Sequence, residues 1–408
     1  MNKKFLTFVA VALMLAACSS EEPMTPPTVE NDAMGANPYR VSLTDALKNA
    51  DALLGELGEG ETTRSAERKV ESVEYYSRPG TRALGGDTLL YLVNYADDAG
   101  FALLSADSRL RPIYAISDEG SMSLSDTTYN KGLALFASGV EAELASLPSI
   151  QLPIDSLPEG PIIKPEGTVR LTSQKSPMLG YYQSRWGQNS PFNKYCFTKD
   201  STQATVGCGA IVVGQVLSYY KYPSMVDSLN INWNKINEGA DNDSLAKLLR
   251  TLGNESYLKM EYSTNEDGGS GCDLSKINQA LSSLGYSVYC DFIDFDESNI
   301  ENFTKNNTPS IIKGEKYISE NLKTAHVWII DGYKQYIYRN LGTGYETKDN
   351  VLFHCVWGWS GTNNGYFYWS KTNSLGGSPI ETGPNDGNST IDRVYDLSIK
   401  YMSGFNHN

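Results

Sequence analysis

The sequence predicts an α+β protein in which a small mixed unit, residues 41–147, precedes a larger unit, residues 171–408. Three observations lead to this prediction. The first unit has periodic helices and an apolar hairpin of its own. The larger unit is rich in helices in its first half and in strands in its second, which is an α+β arrangement. Between the units, residues 148–170 contain five prolines, too many for a packed element.

Composition places the chain among ordinary globular proteins and excludes one class of partner. Of 408 residues, 40% are hydrophobic and 20% are charged, and a chain of this length can bury a sizeable core. The formal net charge is −14 and the isoelectric point is near 4.8. Because nucleic-acid binding requires a positive field, we expect no nucleic-acid partner.

Residues 1–18 predict export and a lipid anchor. Lys3 and Lys4 precede a mostly apolar run at 5–17, which is too short to span a bilayer and has the length found in signal peptides. The run ends in two alanines before Cys18, as in a bacterial lipoprotein box. Acylation of Cys18 would attach the exported precursor to the outer membrane or cell surface. A plain signal peptide with an incidental cysteine is the alternative.

The elements of the first unit follow in order. Residues 19–40 are rich in Pro, Glu, Asn and Thr, and are predicted to form a flexible tether. Ser42 is the expected N-cap of a helix whose apolar residues recur at helical spacing. The apolar runs at 89–94 and 100–105 predict a hairpin, and 131–144 predicts a second helix.

The connector at 148–170 is predicted to contain a maturation site. The polar stretch at 166–175 follows the prolines and is expected to be flexible, so that it offers an accessible backbone to a protease. We therefore expect cleavage between about Pro165 and Met178. The larger unit is then predicted to contain helices at 208–221, 244–252 and 274–284, and strands at 310–313, 327–331 and 351–357.

Cys208 is the expected nucleophile of an enzyme. Gly207 and Gly209 flank it, and the apolar residues that follow make it the first residue of a buried helix. At a helix N-terminus the helix dipole favours a thiolate, and unpaired N–H groups can receive an oxyanion. On this segment alone, a buried structural cysteine is an equally good interpretation.

The base for such a thiol must be one of three histidines: His326, His354 or His407. His326 begins an apolar strand, so its ring can project from the strand's end into a cleft. A nucleophilic cysteine preceding its histidine in the chain is the papain order, in which the two residues meet in space. A histidine satisfied within the core is the alternative. A zinc site from His326, His354 and Cys355 would need metal-ligand spacing, which is absent, so we expect no metal and no cofactor.

Four motifs in the same order resemble the streptopain family of cysteine peptidases. They are Trp-Gly-Gln at 186–188 with Pro-Phe-Asn at 191–193, Gly-Cys at 207–208 leading to Tyr-Pro at 222–223, the apolar histidine segment ending in Ile-Asp-Gly at 330–332, and Phe-His-Cys-Val-Trp-Gly-Trp at 353–359 followed by Asn-Gly-Tyr-Phe. The first unit resembles the family's inhibitory prodomain at 91–94, 100–107 and 112–120. The resemblance, covering about residue 43 to the C-terminus, implies a papain-like catalytic domain behind a prodomain, and so a cysteine endopeptidase made as a zymogen.

The resemblance also implies roles for single residues. Cys208 would be the nucleophile, and His326 the general base and later the acid. Gln188 would donate its side-chain amide to the oxyanion hole beside the Cys208 N–H, and Trp357 would orient or shield the imidazole. The family favours an apolar residue two positions before the cut. This chain departs from the family pattern at Val356, where the family has Asn, and at the residue before it, where Cys stands for Val.

Two other functions remain open on the sequence. The same site could serve acyl transfer or amide hydrolysis, or the chain could be a lipid-anchored binding protein with a degenerate peptidase fold. The expected partners are protein or peptide substrates, the chain's own prodomain, and the membrane through Cys18. Five further cysteines, an odd number, predict at least one free thiol, and a bond between Cys272 and Cys290 is undecided.

Overall fold

The computed structural model describes residues 39–54, 68–77, 88–123, 130–146, 167–264, 269–319, 322–341, 344, 346–347, 350–369 and 397–407. The predicted signal peptide, most of the tether and the proline-rich part of the connector lie outside these residues. Within them the chain mixes helices and strands throughout, which confirms the α+β class. No helix in these ranges is long and apolar enough to cross a membrane.

The helices and strands are numbered in chain order. The helices are α1 (Leu43–Leu54), α2 (Lys131–Ser146), α3 (Cys208–Tyr220), α4 (Trp233–Asn237), α5 (Asn242–Leu252), α6 (Lys276–Ser283) and α7 (Glu297–Lys305). The strands are β1 (Val70–Ser77), β2 (Thr88–Tyr95), β3 (Phe101–Ser105), β4 (Ile113–Ser117), β5 (Gly167–Lys175), β6 (Met225–Val226), β7 (Leu229–Asn230), β8 (Tyr286–Ser287), β9 (Cys290–Asp294), β10 (Ser310–Ser319), β11 (Leu322–Asn340), β12 (Asn350–Val356), β13 (Gly365–Tyr368), β14 (Leu397–Ser403) and β15 (Asn406–His407).

The N-terminal unit, residues 39–146, forms as its sequence predicts. The Asp45 N–H donates to Ser42 Oγ over 3.1 Å, which caps α1. Strands β2 and β3 pair antiparallel as the predicted hairpin, and α2 covers the predicted second helix. At the end of the predicted tether, the Tyr39 carbonyl accepts a hydrogen bond from the Ser108 N–H over 2.7 Å.

The C-terminal unit, residues 167–407, shares one sheet with the N-terminal unit. Strand β4 pairs with β13, so that Ile116 lies opposite Tyr366 and Ala115 opposite Phe367. The sheet order is β1-β2-β3-β4-β13-β12-β11-β10-β14-β9, and β5 pairs with β11. The edge strands β4 and β13 thus satisfy each other's backbone groups. The sequence did not predict this pairing between the two units.

The segment at 166–175 was predicted to be flexible, and for its described residues this is wrong. Residues 167–175 form β5, whose pairing with β11 runs from Gly167 opposite Asn340 to Lys175 opposite Tyr333. Four of its nine residues are exposed and four are half-buried, whereas Val169 points into the core. Hydrogen bonding to β11 orders the backbone despite the polarity of the segment. Residues 167–170, which were predicted to belong to the connector, therefore lie in β5.

The sheet is the middle layer of the C-terminal unit. On one face, α3 packs with Val327, Ile329 and Val356, and α5 and α6 surround it. On the other face, α2 of the N-terminal unit packs with Trp328 and Trp357. Side chains alternate between the faces along each strand. Consecutive residues of β11 therefore face either α3 or α2.

The predicted helices at 208–221, 244–252 and 274–284 correspond to α3, α5 and α6, with ends that differ by no more than two residues. The predicted strands at 310–313 and 327–331 are much shorter than β10 and β11. The sequence predicts only the apolar centre of each of these two strands. The polar continuations are strands because their neighbours in the sheet satisfy their backbone groups.

Candidate active site

Cys208 is the first residue of α3, and the residue before it has a conformation that favours glycine. Gly207 has φ of 90°, and a Cβ at this position would lie 2.0 Å from Met260 Cε and 3.1 Å from the Ser270 carbonyl oxygen. A larger residue would push the loop away from the helix start. The thiol is consequently held at the N-terminus of a buried helix, as predicted.

The charge state of the Cys208 thiol differs from the expectation. Burial raises its pKa, and the N–H groups of Val327 and Gly209 oppose this effect only in part. The helix N-terminus was expected to favour the thiolate, but here desolvation outweighs it. In this state of the protein Cys208 is held as a neutral thiol.

His326 lies on β11 with 1% of its surface exposed. Its Nε2 donates a hydrogen bond to the Trp357 carbonyl oxygen over 2.9 Å. The rings of Trp328 and Trp359 stack on the imidazole at centroid distances of 6.2 and 6.3 Å. Burial lowers the pKa of His326 to about 4, although the bond to Trp357 partly opposes this. The imidazole is therefore neutral near pH 7.

The structure does not bring the thiol and the imidazole into contact. Val327 packs on the α3 face with Cys208, whereas the neighbouring His326 lies on the α2 face. Among the residues that the structure describes, no hydrogen bond joins Cys208 to His326. A helix of the N-terminal unit explains this, because a Cβ on Gly132 of α2 would lie 3.0 Å from His326 Cδ2 and 2.3 Å from Trp357 Cε3.

Gln188 and Trp357, the other two predicted site residues, are both buried. The Gln188 carbonyl accepts a hydrogen bond from the Val206 N–H over 2.9 Å, which places Gln188 beside the loop that leads to Cys208. Trp357 contacts His326 through its carbonyl, and its own N–H donates to Asn364 Oδ1 over 3.1 Å. The oxyanion role of Gln188 stays a prediction.

We expect Gln188→Ala to lower kcat of the mature enzyme by roughly 10²–10³, the usual scale for losing one oxyanion donor. KM should change little, because the amide is expected to act on the transition state. Steady-state kinetics on one peptide, with thermal unfolding as the control for folding, measures this. An unchanged kcat would place the oxyanion hole elsewhere.

His354 is held by contacts that indicate a structural role rather than a catalytic one. Its Nδ1 lies 2.6 Å from Asp331 Oδ1, and Asp331 Oδ2 accepts the Leu179 N–H over 2.8 Å. The buried carboxylate thus joins β12 to the segment after β5. His407, the third histidine, stacks on Tyr222 at 4.5 Å.

We expect His326→Ala to abolish turnover while His354→Ala mainly lowers stability. Removing the His354 ring leaves the buried Asp331 carboxylate short of a partner, which costs about 1–3 kcal/mol. Chemical denaturation and peptide hydrolysis of both variants separate the two effects. Equal loss of activity in both, with both folded, would reverse the assignment.

Several residues of the site were not found from the sequence. The imidazole's stacking partners, Trp328 and Trp359, lie in recognised motifs, but only the fold shows that their rings meet it. Gly132 lies in another unit, and no sequence signal links it to the histidine. Cys272 and Cys290 are both free thiols, and Cys272 lies close to Cys208, because a Cβ on the neighbouring Gly209 would be 2.8 Å from the Cys272 Sγ.

Comparison with known proteins divides the chain in the same way. Residues 186–367 match the model of the Peptidase C10 family, and residues 39–144 match that of the Spi protease inhibitor. The thiol protease/hemagglutinin PrtT of Porphyromonas gingivalis is 25% identical over 342 residues, covering 78% of this chain. The chain spans only 37% of the length of that relative.

Two solved structures from Prevotella intermedia are also similar. A prointerpain A fragment is 17% identical with a TM-score of 0.47, covering 82% of this chain and 98% of that one. Active interpain A is 19% identical with a TM-score of 0.37, covering 57% and 95%. The matched peptidase segment contains Gln188, Cys208, His326 and Trp357, and the matched inhibitor segment is the unit that packs on the histidine. Residues 186–367 therefore match the Peptidase C10, or streptopain, family of cysteine peptidases, and the N-terminal unit matches the Spi protease inhibitor.

Proposed function

We propose that this chain is the precursor of an exported cysteine endopeptidase that hydrolyses protein substrates with Cys208 and His326. One observation supports this proposal more strongly than any other. A helix of the inhibitor-type unit packs on His326 and Trp357 of the peptidase unit, at the Gly132 contact. An inhibitor-type unit that covers the expected base is what a zymogen requires.

In the active form, His326 leaves the Trp357 carbonyl and takes the Cys208 proton. The thiolate attacks the scissile carbonyl, and the oxyanion is held by the Cys208 N–H and the Gln188 amide. His326 then protonates the leaving amine and afterwards activates the water that hydrolyses the thioester. The free enzyme is regenerated with no cofactor.

The pKa shifts in the precursor oppose this chemistry. Cys208 has a raised pKa and His326 a lowered one, so neither group takes the charge needed for a thiolate–imidazolium pair. Burial is the largest cause of both shifts. Removing α2 would expose the imidazole to water and let both pKa values move back towards the active arrangement.

Polar contacts hold the inhibitor-type unit in place. Ser117 Oγ donates to the Asn364 carbonyl over 2.8 Å, and the buried Lys334 Nζ donates to the Leu53 carbonyl at the end of α1 over 3.1 Å. A cation at a helix C-terminus is favourable. Because β5 is built into the sheet, we place the maturation cut before Gly167, and β5 stays with the mature enzyme.

We also propose that Cys18 is lipidated and tethers the precursor, so that maturation releases the peptidase. The signal-like run before Cys18 supports this. Partition of the precursor into detergent, lost in Cys18→Ala, would support the anchor, and equal partition of both would contradict it.

Casein hydrolysis by the matured chain tests the proposed function. A peptidase should degrade casein, and an epoxide inhibitor of thiol enzymes should block it by alkylating Cys208. Modification by the epoxide without casein hydrolysis would favour the acyltransferase or amidase alternative. A folded protein that does neither would favour a binding role.

A further inference from the structure

A cavity of about 430 Å³ opens on the α3 face of the sheet, between β9, β10 and the loop before α6. Among the described residues, those that line it all belong to the peptidase unit. The inhibitor-type unit covers the opposite face of β10, where a Cβ on Gly314 would lie 2.7 Å from Leu135 Cδ1. The described part of the inhibitor-type unit therefore leaves this cavity available.

The cavity adjoins both proposed catalytic residues. Its wall includes Cys272, whose Sγ packs against Gly209, the residue after the nucleophile. It also includes Ala325, the residue before His326. A peptide whose scissile bond lies at Cys208 would therefore place a nearby side chain at its mouth.

Its walls are partly apolar and its charge is negative. Phe292 and Leu274 provide apolar surface, and the remaining lining includes the carboxylates of Asp273, Asp291 and Glu315 with the single ammonium of Lys313. Three negative charges and one positive charge leave a formal charge of −2. Lys313 Nζ lies 3.4 Å from Glu315 Oε2 and 5.5 Å from the centre of the Phe292 ring. Backbone hydrogen bonding lowers the pKa of Asp273, and the charge of Lys313 also contributes to this shift.

We infer that this cavity is a specificity subsite that accepts a basic substrate side chain, arginine above lysine, close to the scissile bond. The inference rests on the proposed peptidase function. The aliphatic stem of an arginine covers the apolar wall while its guanidinium reaches the carboxylates. A flat guanidinium also stacks on an aromatic ring such as Phe292, which an ammonium does less well. This differs from the apolar preference that the family resemblance implies.

A peptide library tests the inference with the mature enzyme obtained by processing of the full chain. Each of the positions before the scissile bond is varied in turn among Arg, Lys, Leu and Glu. At one position, kcat/KM for Arg should exceed that for Leu by about tenfold, which corresponds to about 1.4 kcal/mol. Added salt should reduce this ratio, because the interaction is electrostatic.

Three substitutions make the test specific. Asp291→Asn should lower the Arg-to-Leu ratio and Lys313→Gln should raise it, since they change the charge of the cavity in opposite directions. Asp294→Asn is the matched control for Asp291→Asn. Asp294 lies on β9 with Asp291, but it is outside the cavity and forms an ion pair with Lys400. This substitution should leave the ratio unchanged.

The possible failures can be told apart. Cleavage with an apolar or acidic preference at every position, unaffected by Asp291→Asn, would overturn the inference and leave the peptidase proposal intact. A matured chain that cleaves no peptide in the library and no casein would overturn the peptidase proposal and this inference with it.

Discussion

Cys208→Ala is expected to abolish proteolysis by the matured chain, lowering kcat by about 10⁴-fold or more, the scale of losing a covalent nucleophile. The substitution removes one sulfur atom from the start of α3, where Cys208 packs against the edge of the core. It should therefore leave the stability nearly unchanged. Hydrolysis of casein and of a peptide, together with labelling by an active-site probe, measures the effect.

A second cysteine supplies the control for this substitution. Cys290→Ser changes a free thiol far along the chain, and serine keeps the donor that now reaches the Ser403 carbonyl over 3.6 Å. This variant should retain both turnover and labelling. If Cys208→Ala still cleaves casein at the wild-type rate, another residue is the nucleophile and the mechanism proposed above fails.

Removing the inhibitor-type unit is expected to raise the initial rate by about 10³-fold or more, because a docking free energy of ~4 kcal/mol leaves about one molecule in 10³ open. The intact precursor, residues 19–408, is compared with residues 167–408, which keep β5 whole. Alkylation of Cys208 by iodoacetamide gives a second readout. In the precursor it should remain slow until the pH exceeds the range of an ordinary thiol, because burial raises the Cys208 pKa.

A substitution within α2 tests whether the inhibitor-type unit blocks activity without any cleavage of the chain. Gly132→Ala places a methyl group within 2.3 Å of the Trp357 ring and should give an uncut precursor with measurable activity. Glu141→Ala, on the exposed side of the same helix, is the matched control and should stay inactive. A long form as active as the short one, without cleavage, would show that the unit does not inhibit, and a targeting role would become the better interpretation.

Local sequence features were sufficient for many elements. The helix that begins at Cys208 follows from Gly207, the apolar run and Pro223, and the Ser42 cap follows from side-chain chemistry at a helix start. The family resemblance was confirmed by the match to residues 186–367. These predictions succeeded because they depend on residues close together in the chain.

The predictions that failed depend on long-range pairing. Residues 167–175 look like a flexible linker, and they are a strand because β11 satisfies their backbone. The helix start at Cys208 predicted a favoured thiolate, yet its pKa is raised because the surrounding fold removes water from the sulfur. Neither the strand partner nor the depth of burial can be read from a local segment.

The sequence by itself determined which residues are candidates for the chemistry: Cys208, His326, Gln188 and Trp357, in an order typical of one family. The tertiary structure decided the state in which they are held. It joins β4 to β13 in a common sheet and places α2 against His326, while Cys208 lies on the α3 face. The physical reason is that faces of a sheet and contacts between units arise only when distant segments pair, so α2, which is far from His326 in the chain, meets the imidazole only in the folded precursor.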